Sequence, residues 1–111
     1  MNYEEFFQEI KERFAGTDVS DIAEHLAYQF TIEDAQAGGV FYVEVKEGKL
    51  YIEPYDYHDR DAGFTCTPDT LRKLIDGKLD PVAAFTMRKL KVDGSIEKAL
   101  RLKDLIAKKH K

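Results

Sequence analysis

A chain of 111 residues with 43% apolar and 34% charged side chains has the size and make-up of one globular domain, able to bury a core without staples. Its net charge of −4 excludes a broad nucleic-acid surface, which needs clustered positive charge. One cysteine, Cys66, excludes an internal disulfide, and there is neither a leader-like start nor an apolar run near the ~20 residues that span a bilayer, so a cytoplasmic protein without stable membrane insertion is expected.

With no internal repeat or linker-like stretch, residues 1–111 read as a single domain. Asn2, followed three residues later by Glu5, is a helix-start pair. Tyr3, Phe6, Phe7, Ile10 and Phe14 then recur on one helical face, and Gly16 stops the helix. Leu26, Tyr28, Phe30 and Ile32 alternate with Ala27, Gln29, Thr31 and Glu33, the pattern of a half-buried strand. After Gly38-Gly39 a second strand alternates Phe41, Val43 and Val45 with Tyr42, Glu44 and Lys46, and Glu47-Gly48 turns it into a third. Pairing Lys46 with Lys49 sets Val45 beside Leu50, Glu44 beside Tyr51 and Val43 beside Ile52. This register predicts that Val43, Val45, Leu50 and Ile52 face the helices while Tyr42, Glu44, Tyr51 and Glu53 face away.

Residues 56–61 form a polar loop, and Phe64 to Thr67 a fourth strand. Thr67-Pro68 and Asp80-Pro81 are two helix starts, the first opening a helix with Leu71, Leu74 and Ile75 on its apolar face and Gly77 at its end, the second carrying Val82 and Phe85. Leu90 and Val92 mark a fifth strand, and Gly94-Ser95 turns into a last helix whose Ile96, Ala99, Leu100, Leu102, Leu105 and Ile106 spread over a wide apolar arc. The predicted fold is α+β: a five-stranded, mostly antiparallel sheet covered on one face by helices.

No constellation here carries catalysis. Cys66 is in phase with Phe64 and reads as a small core hydrophobe. His25, His58 and His110 stand far apart, outside any zinc-type spacing. Asp56, His58, Asp59 and Asp61 read as a solvated loop rather than a metal site, and the basic tail Lys108–Lys111 as a complement to a helix C-terminus. No cofactor motif, metal site or enzymatic activity is expected.

The segment Leu74 to Gly94, LIDGKLDPVAAFTMRKLKVDG, resembles the signature of the sterol carrier protein 2 family. Gly77, Lys78, Leu79 and Pro81 match its turn, Ala84 and Phe85 its short helix, and Lys89, Leu90, Lys91, Val92 and Gly94 its following strand, with Thr65 and Thr67 matching upstream. The resemblance implies an apolar tunnel between sheet and helices that binds or transfers a lipid (a fatty acid, an acyl-CoA or a sterol-like ligand) without covalent chemistry. It also implies a domain found fused to enzymes as an accessory module. The lining candidates are Phe64, Leu71, Leu74, Ile75, Phe85, Met87, Leu102, Leu105 and Ile106. Arg88 departs from the pattern, standing where the family usually has glycine. With Tyr42, Tyr51 and Tyr55 on the other sheet face, that departure supports an alternative: an interaction or dimerisation module of the same fold with a reduced or lost tunnel. The expected state is a monomer or weak homodimer.

Overall fold

The computed structural model describes residues 1–56 and 59–110. Its elements are α1 (Tyr3–Phe14), β1 (Leu26–Ile32), β2 (Gly39–Lys46), β3 (Lys49–Glu53), β4 (Ala62–Cys66), α2 (Pro68–Ile75), α3 (Pro81–Thr86), β5 (Lys91–Gly94), α4 (Ile96–Leu100) and α5 (Leu102–Lys109). The local punctuation explains most of these bounds. Asn2 accepts from the Glu5 amide at 2.9 Å while Glu5 accepts from the Asn2 amide at 3.0 Å, so each satisfies a donor that the helix start leaves free. Thr67, Asp80 and Ser95 cap α2, α3 and α4 in the same sense, with Pro68 and Pro81 at first helical positions.

The hairpin pairs as its alternation predicts: Lys46 opposite Lys49, Val45 opposite Leu50, Glu44 opposite Tyr51 and Val43 opposite Ile52. Glu47 and Gly48 both hold positive φ, at 53° and 74°, the turn whose twist matches the flanking strands. Val43, Val45 and Ile52 are buried and Leu50 is half-buried, whereas Tyr51 is exposed. Glu44 lies on the outward face yet is nearly covered, because the His25 ring meets its carboxylate at 2.6 Å.

The sheet order is β3-β2-β1-β4-β5, and β1 pairs with β4 in parallel. The sheet is therefore mixed, not mostly antiparallel. Between the edge strand β3 and β4 stand β2 and β1, a span of about 14 Å at ~4.8 Å per strand spacing. Asp61 fastens the arrival: its carboxylate accepts from the Ala27 amide at 2.9 Å and its own amide donates to the Ala27 carbonyl at 2.7 Å. That is a structural use for one of the loop carboxylates; His58 lies outside the described residues. A second correction concerns the C-terminus. The predicted last helix is two, α4 and α5, meeting at Arg101, whose amide bonds back three residues to the Lys98 carbonyl at 3.0 Å.

The core fills the space between one face of the sheet and α1, α2 and α5. Its spine is a row of rings across neighbouring strands, Phe41–Phe30–Phe64, with centroids 5.3 and 5.2 Å apart. Cys66 is buried and its thiol is pushed up to about 12 by loss of water, so it is inert as a nucleophile. Across the helix layer, Arg72 of α2 grips Glu9 of α1 through two bonds of 2.8 and 3.0 Å, Arg13 reaches both Glu9 and Asp76, and Arg72 also lies 5.2 Å over the Phe6 ring. The bond from Arg72 holds the Glu9 carboxyl below its ordinary value of 4.5. A lowered folded-state pKa contributes stability that is complete above the unfolded value and fades as pH falls through the folded one. Arg72→Ala is expected to cost ~2 kcal/mol at neutral pH. It should cost less once the pH has fallen below the lowered folded-state pKa of Glu9, where the carboxyl is protonated in either protein. Urea melts of both proteins at the two pH values check this.

Candidate functional site

The ring row of the core ends in a groove. In register, Phe30 stands beside Phe64 and Phe64 beside Val92 of the edge strand β5. Beyond Phe64 the helix cover changes: α3 and α4 stand on either side and leave an open space of about 230 Å3 between them. Its walls are Pro81, Val82 and Phe85 from α3 and Ile96, Ala99 and Leu100 from α4, its floor Phe64, Leu90 and Val92, and its one charged liner Lys103. Val82, Phe85, Ile96 and Leu100 are each 45–58% exposed, a cluster of half-wet apolar side chains that a monomer rarely leaves without a use.

Each wall has a local cause. Asp80 caps α3 by accepting from the amides of Val82 and Ala83 at 3.0 and 3.1 Å, and the same carboxylate takes Lys103 of α5 at 3.1 Å. That hydrogen bond from Lys103, with the capping amides, keeps the Asp80 carboxyl below the usual carboxylate range. On the other side the buried Tyr28 hydroxyl donates to the Lys98 carbonyl at 2.6 Å and pins α4 to the sheet. Burial raises that phenol's pKa well above the ordinary 10, so it stays a donor throughout the stable pH range.

The far end of α3 accounts for Arg88. The Arg88 amide donates to Phe85 at 3.1 Å and the Lys89 amide to Ala84 at 2.8 Å, while Arg88 itself sits at φ 61°. These two bonds around a left-handed residue close a helix C-terminus, and α2 ends in the same way: Gly77 donates to Leu74 at 3.2 Å, Lys78 to Lys73 at 2.9 Å, and Gly77 takes φ 74°. The same motif is thus closed once by glycine and once by arginine. A side chain in this conformation costs ~1–2 kcal/mol, against ~0.5–1 kcal/mol of extra chain entropy lost by glycine. Arg88→Gly is therefore expected to stabilise the protein by up to ~1 kcal/mol, read as a rise of a few degrees in melting temperature by calorimetry.

The structure divides the sequence-derived lining candidates. Phe64 and Phe85 line the groove. Met87 caps the end of α3 beside it and is 51% exposed. Leu71, Leu74, Ile75, Leu102, Leu105 and Ile106 lie together elsewhere, around an interior space of about 10 Å3 shared with α1, enough for about one water. Among the described residues the apolar space is thus an open groove beside a packed core, where the family resemblance implies a tunnel. The wide arc of the last helix resolves into two faces: Ile96 and Leu100 of α4 look into the groove, and Leu102, Leu105 and Ile106 of α5 into the core. Val82, Ile96 and Leu100 were absent from the candidates. Ile96 and Leu100 share one helical face and Leu102, Leu105 and Ile106 another, so the spacing separates the two sets without saying which of them is core. Of the basic tail, Lys108 bonds to Asp21 at 2.5 Å and the His110 ring to the Ile75 carbonyl at 2.7 Å, and Lys111 lies outside the described residues.

No helix among the described residues is long and apolar enough to cross a membrane. Comparison with known proteins gives one consistent answer. Sterol carrier protein 2 of Bos taurus is 31% identical over 80 residues, 70% of this chain and 15% of that protein. Hydroxysteroid dehydrogenase-like protein 2 of Bos taurus is 31% identical over 106 residues, 93% of this chain and 24% of that protein. The chain thus spans under a quarter of these relatives' length, and the matched segment is one part of a larger protein in each. Among solved structures, the sterol carrier protein domain 2 of Helicoverpa armigera superposes with a TM-score of 0.70 at 25% identity, covering 95% of this chain and 85% of that one. The profile of the SCP-2 sterol transfer family matches residues 7–107, and the chain belongs to that family.

Proposed function

We propose that this chain binds and transfers an apolar lipid, a fatty acid, acyl-CoA or sterol-like molecule, in the groove between α3 and α4, with no covalent step. The observation that carries the reading is the set of half-exposed apolar side chains Val82, Phe85, Ile96 and Leu100 facing one another over Phe64. An apolar concavity with a single polar group at its rim is the ordinary form of a lipid site. Membership of a sterol transfer family supports the same class of ligand.

A magnitude limits how the ligand sits. A space of about 230 Å3 is below the ~300 Å3 at which pockets for small molecules begin. Roughly eight buried methylenes at ~0.8 kcal/mol each contribute about 6 kcal/mol, most of which association consumes. A tighter complex needs the rest of the chain buried too. The ligand then enters past Phe64 and Phe85, flanked by Met87, and parts the layer of Leu71, Leu74, Ile75, Leu102, Leu105 and Ile106 behind them.

The test is Leu100→Asp. Leu100 is half-exposed, so the change should move stability by no more than ~0.5 kcal/mol. It places a charge on the groove wall, and binding of a fluorescent fatty acid should fall at least tenfold, which needs only ~1.4 kcal/mol. A wild-type protein that binds no lipid probe, or a variant that binds as well as wild type, overturns the reading.

A further inference from the structure

We infer that the corner where α3 turns into β5, built from Phe85, Met87, Arg88 and Lys89, is a docking face for an anionic phospholipid surface. Three observations converge on it. First, Phe85 and Met87 are 52% and 51% exposed at the tip of a short helix, side by side with two cations that have no acidic partner among the described residues. Second, residues 81–103 hold six Lys or Arg against two Asp or Glu in a chain of net charge −4, and of the six, Lys91, Lys98, Arg101 and Lys103 pair with Glu33, Glu24, Glu24 and Asp80, which leaves Arg88 and Lys89 as the cations without an ion pair among the described residues. Of those two acids, Asp93 is drawn toward Arg60 at 3.5 Å and Glu97 lies in the first turn of α4, while Asp80 just ahead of the stretch is taken by Lys103 at 3.1 Å. Third, Arg88 holds a left-handed conformation that glycine would adopt without strain, and the bonds from its amide and from that of Lys89 make the corner rigid. A cation kept at a costly backbone position points to a use for the cation.

Apolar side chains ringed by lysine and arginine match a bilayer surface, where rings enter the headgroup boundary and cations meet lipid phosphates. Phe85 belongs both to this corner and to the groove wall, so a protein seated there brings that wall to the membrane. The inference concerns the face outside the groove, which shares only Phe85 with it, and the two can fail separately.

The experiment is flotation of the full chain with vesicles of phosphatidylcholine alone and of phosphatidylcholine mixed with phosphatidylglycerol. Wild type should float with the mixed vesicles only, and should be released in ~1 M salt, where the screening length falls to ~3 Å. Arg88→Gly combined with Lys89→Gln removes both charges and keeps the left-handed backbone, so it folds at least as well. Its partition should fall at least tenfold while its binding of a fluorescent fatty acid in solution is unchanged. Met87→Ser should weaken flotation with Arg88 and Lys89 intact. Equal flotation with both vesicles, or a double variant that floats like wild type, overturns the inference. So does a wild type that floats with neither and sediments as a dimer through this face, since a second copy then covers it. If flotation succeeds and the fatty acid is not bound, the docking face stands and the groove reading falls.

Discussion

Leu105→Asp is expected to leave the protein unfolded at 25 °C. Leu105 has no exposed surface and lies where α1, α2, α5 and the sheet meet, with Ile10, Phe30 and Leu74 around the same 10 Å3 space. The substitution removes a side chain whose loss to alanine alone costs ~2–5 kcal/mol. It adds a carboxylate with no partner, and the carboxyl must stay protonated, well above its usual pKa, or drag water into the core. The combined loss matches the ~5–15 kcal/mol that holds a domain together. Phe30→Asp, in the middle of the ring row, should behave alike. Far-UV circular dichroism checks both. A Leu105→Asp protein that melts cooperatively near the wild-type temperature would mean that α5 yields outward and that its inner face borders ligand space. Paired with Leu100→Asp, five residues away, the experiment separates the core face of the C-terminal segment from the groove face.

Gly94→Ala should cost ~3 kcal/mol and lower the melting temperature by ten degrees or more. Two effects combine at this position. Gly94 takes φ 83°, which any side chain pays to adopt. A Cβ there would also stand 2.6 Å from the Asp61 carbonyl oxygen and 3.1 Å from the Ala62 Cα, both backbone atoms that cannot swing aside. The same Asp61 carbonyl accepts from the Ser95 amide at 2.8 Å, so the clash falls on the bond that starts α4. Gly77→Ala is the control. Its φ of 74° is equally demanding, but its Cβ would meet only the His110 ring at 3.5 Å, an ordinary contact, so the expected cost is only ~1–2 kcal/mol. Thermal melts of the two variants side by side separate conformational strain from collision. Equal losses would mean that Asp61 and Gly94 can move apart at no cost.

The residues that were legible in the sequence are those whose structure is decided by neighbours a few positions away. Asn2 with Glu5, Thr67-Pro68, Asp80-Pro81 and Ser95 each start a helix where a short side chain reaches an amide two or three residues on. The hairpin register follows from a two-residue turn and an alternation of period two, because a slip by one would send Val43, Val45 and Ile52 into water. The family segment from Leu74 to Gly94 is local in the same sense. So is the demand at Arg88, where two short-range bonds need a left-handed residue. The parallel pairing of β1 with β4 was not legible, since it depends on a connection that crosses two strands and on the Asp61–Ala27 bonds at its end. Nor was the separation of groove from core. Leu100 and Leu102 differ by two positions and so lie on opposite sides of a helix, but which side meets the core is decided by packing: Tyr28 pins α4 from 70 residues away, and Leu100 is left half-exposed while Leu102 is buried. Periodicity reports that a side chain is apolar and on which side of its own helix it lies. What stands opposite is decided by the packing of distant elements, and that decides whether the side chain is core or binding surface.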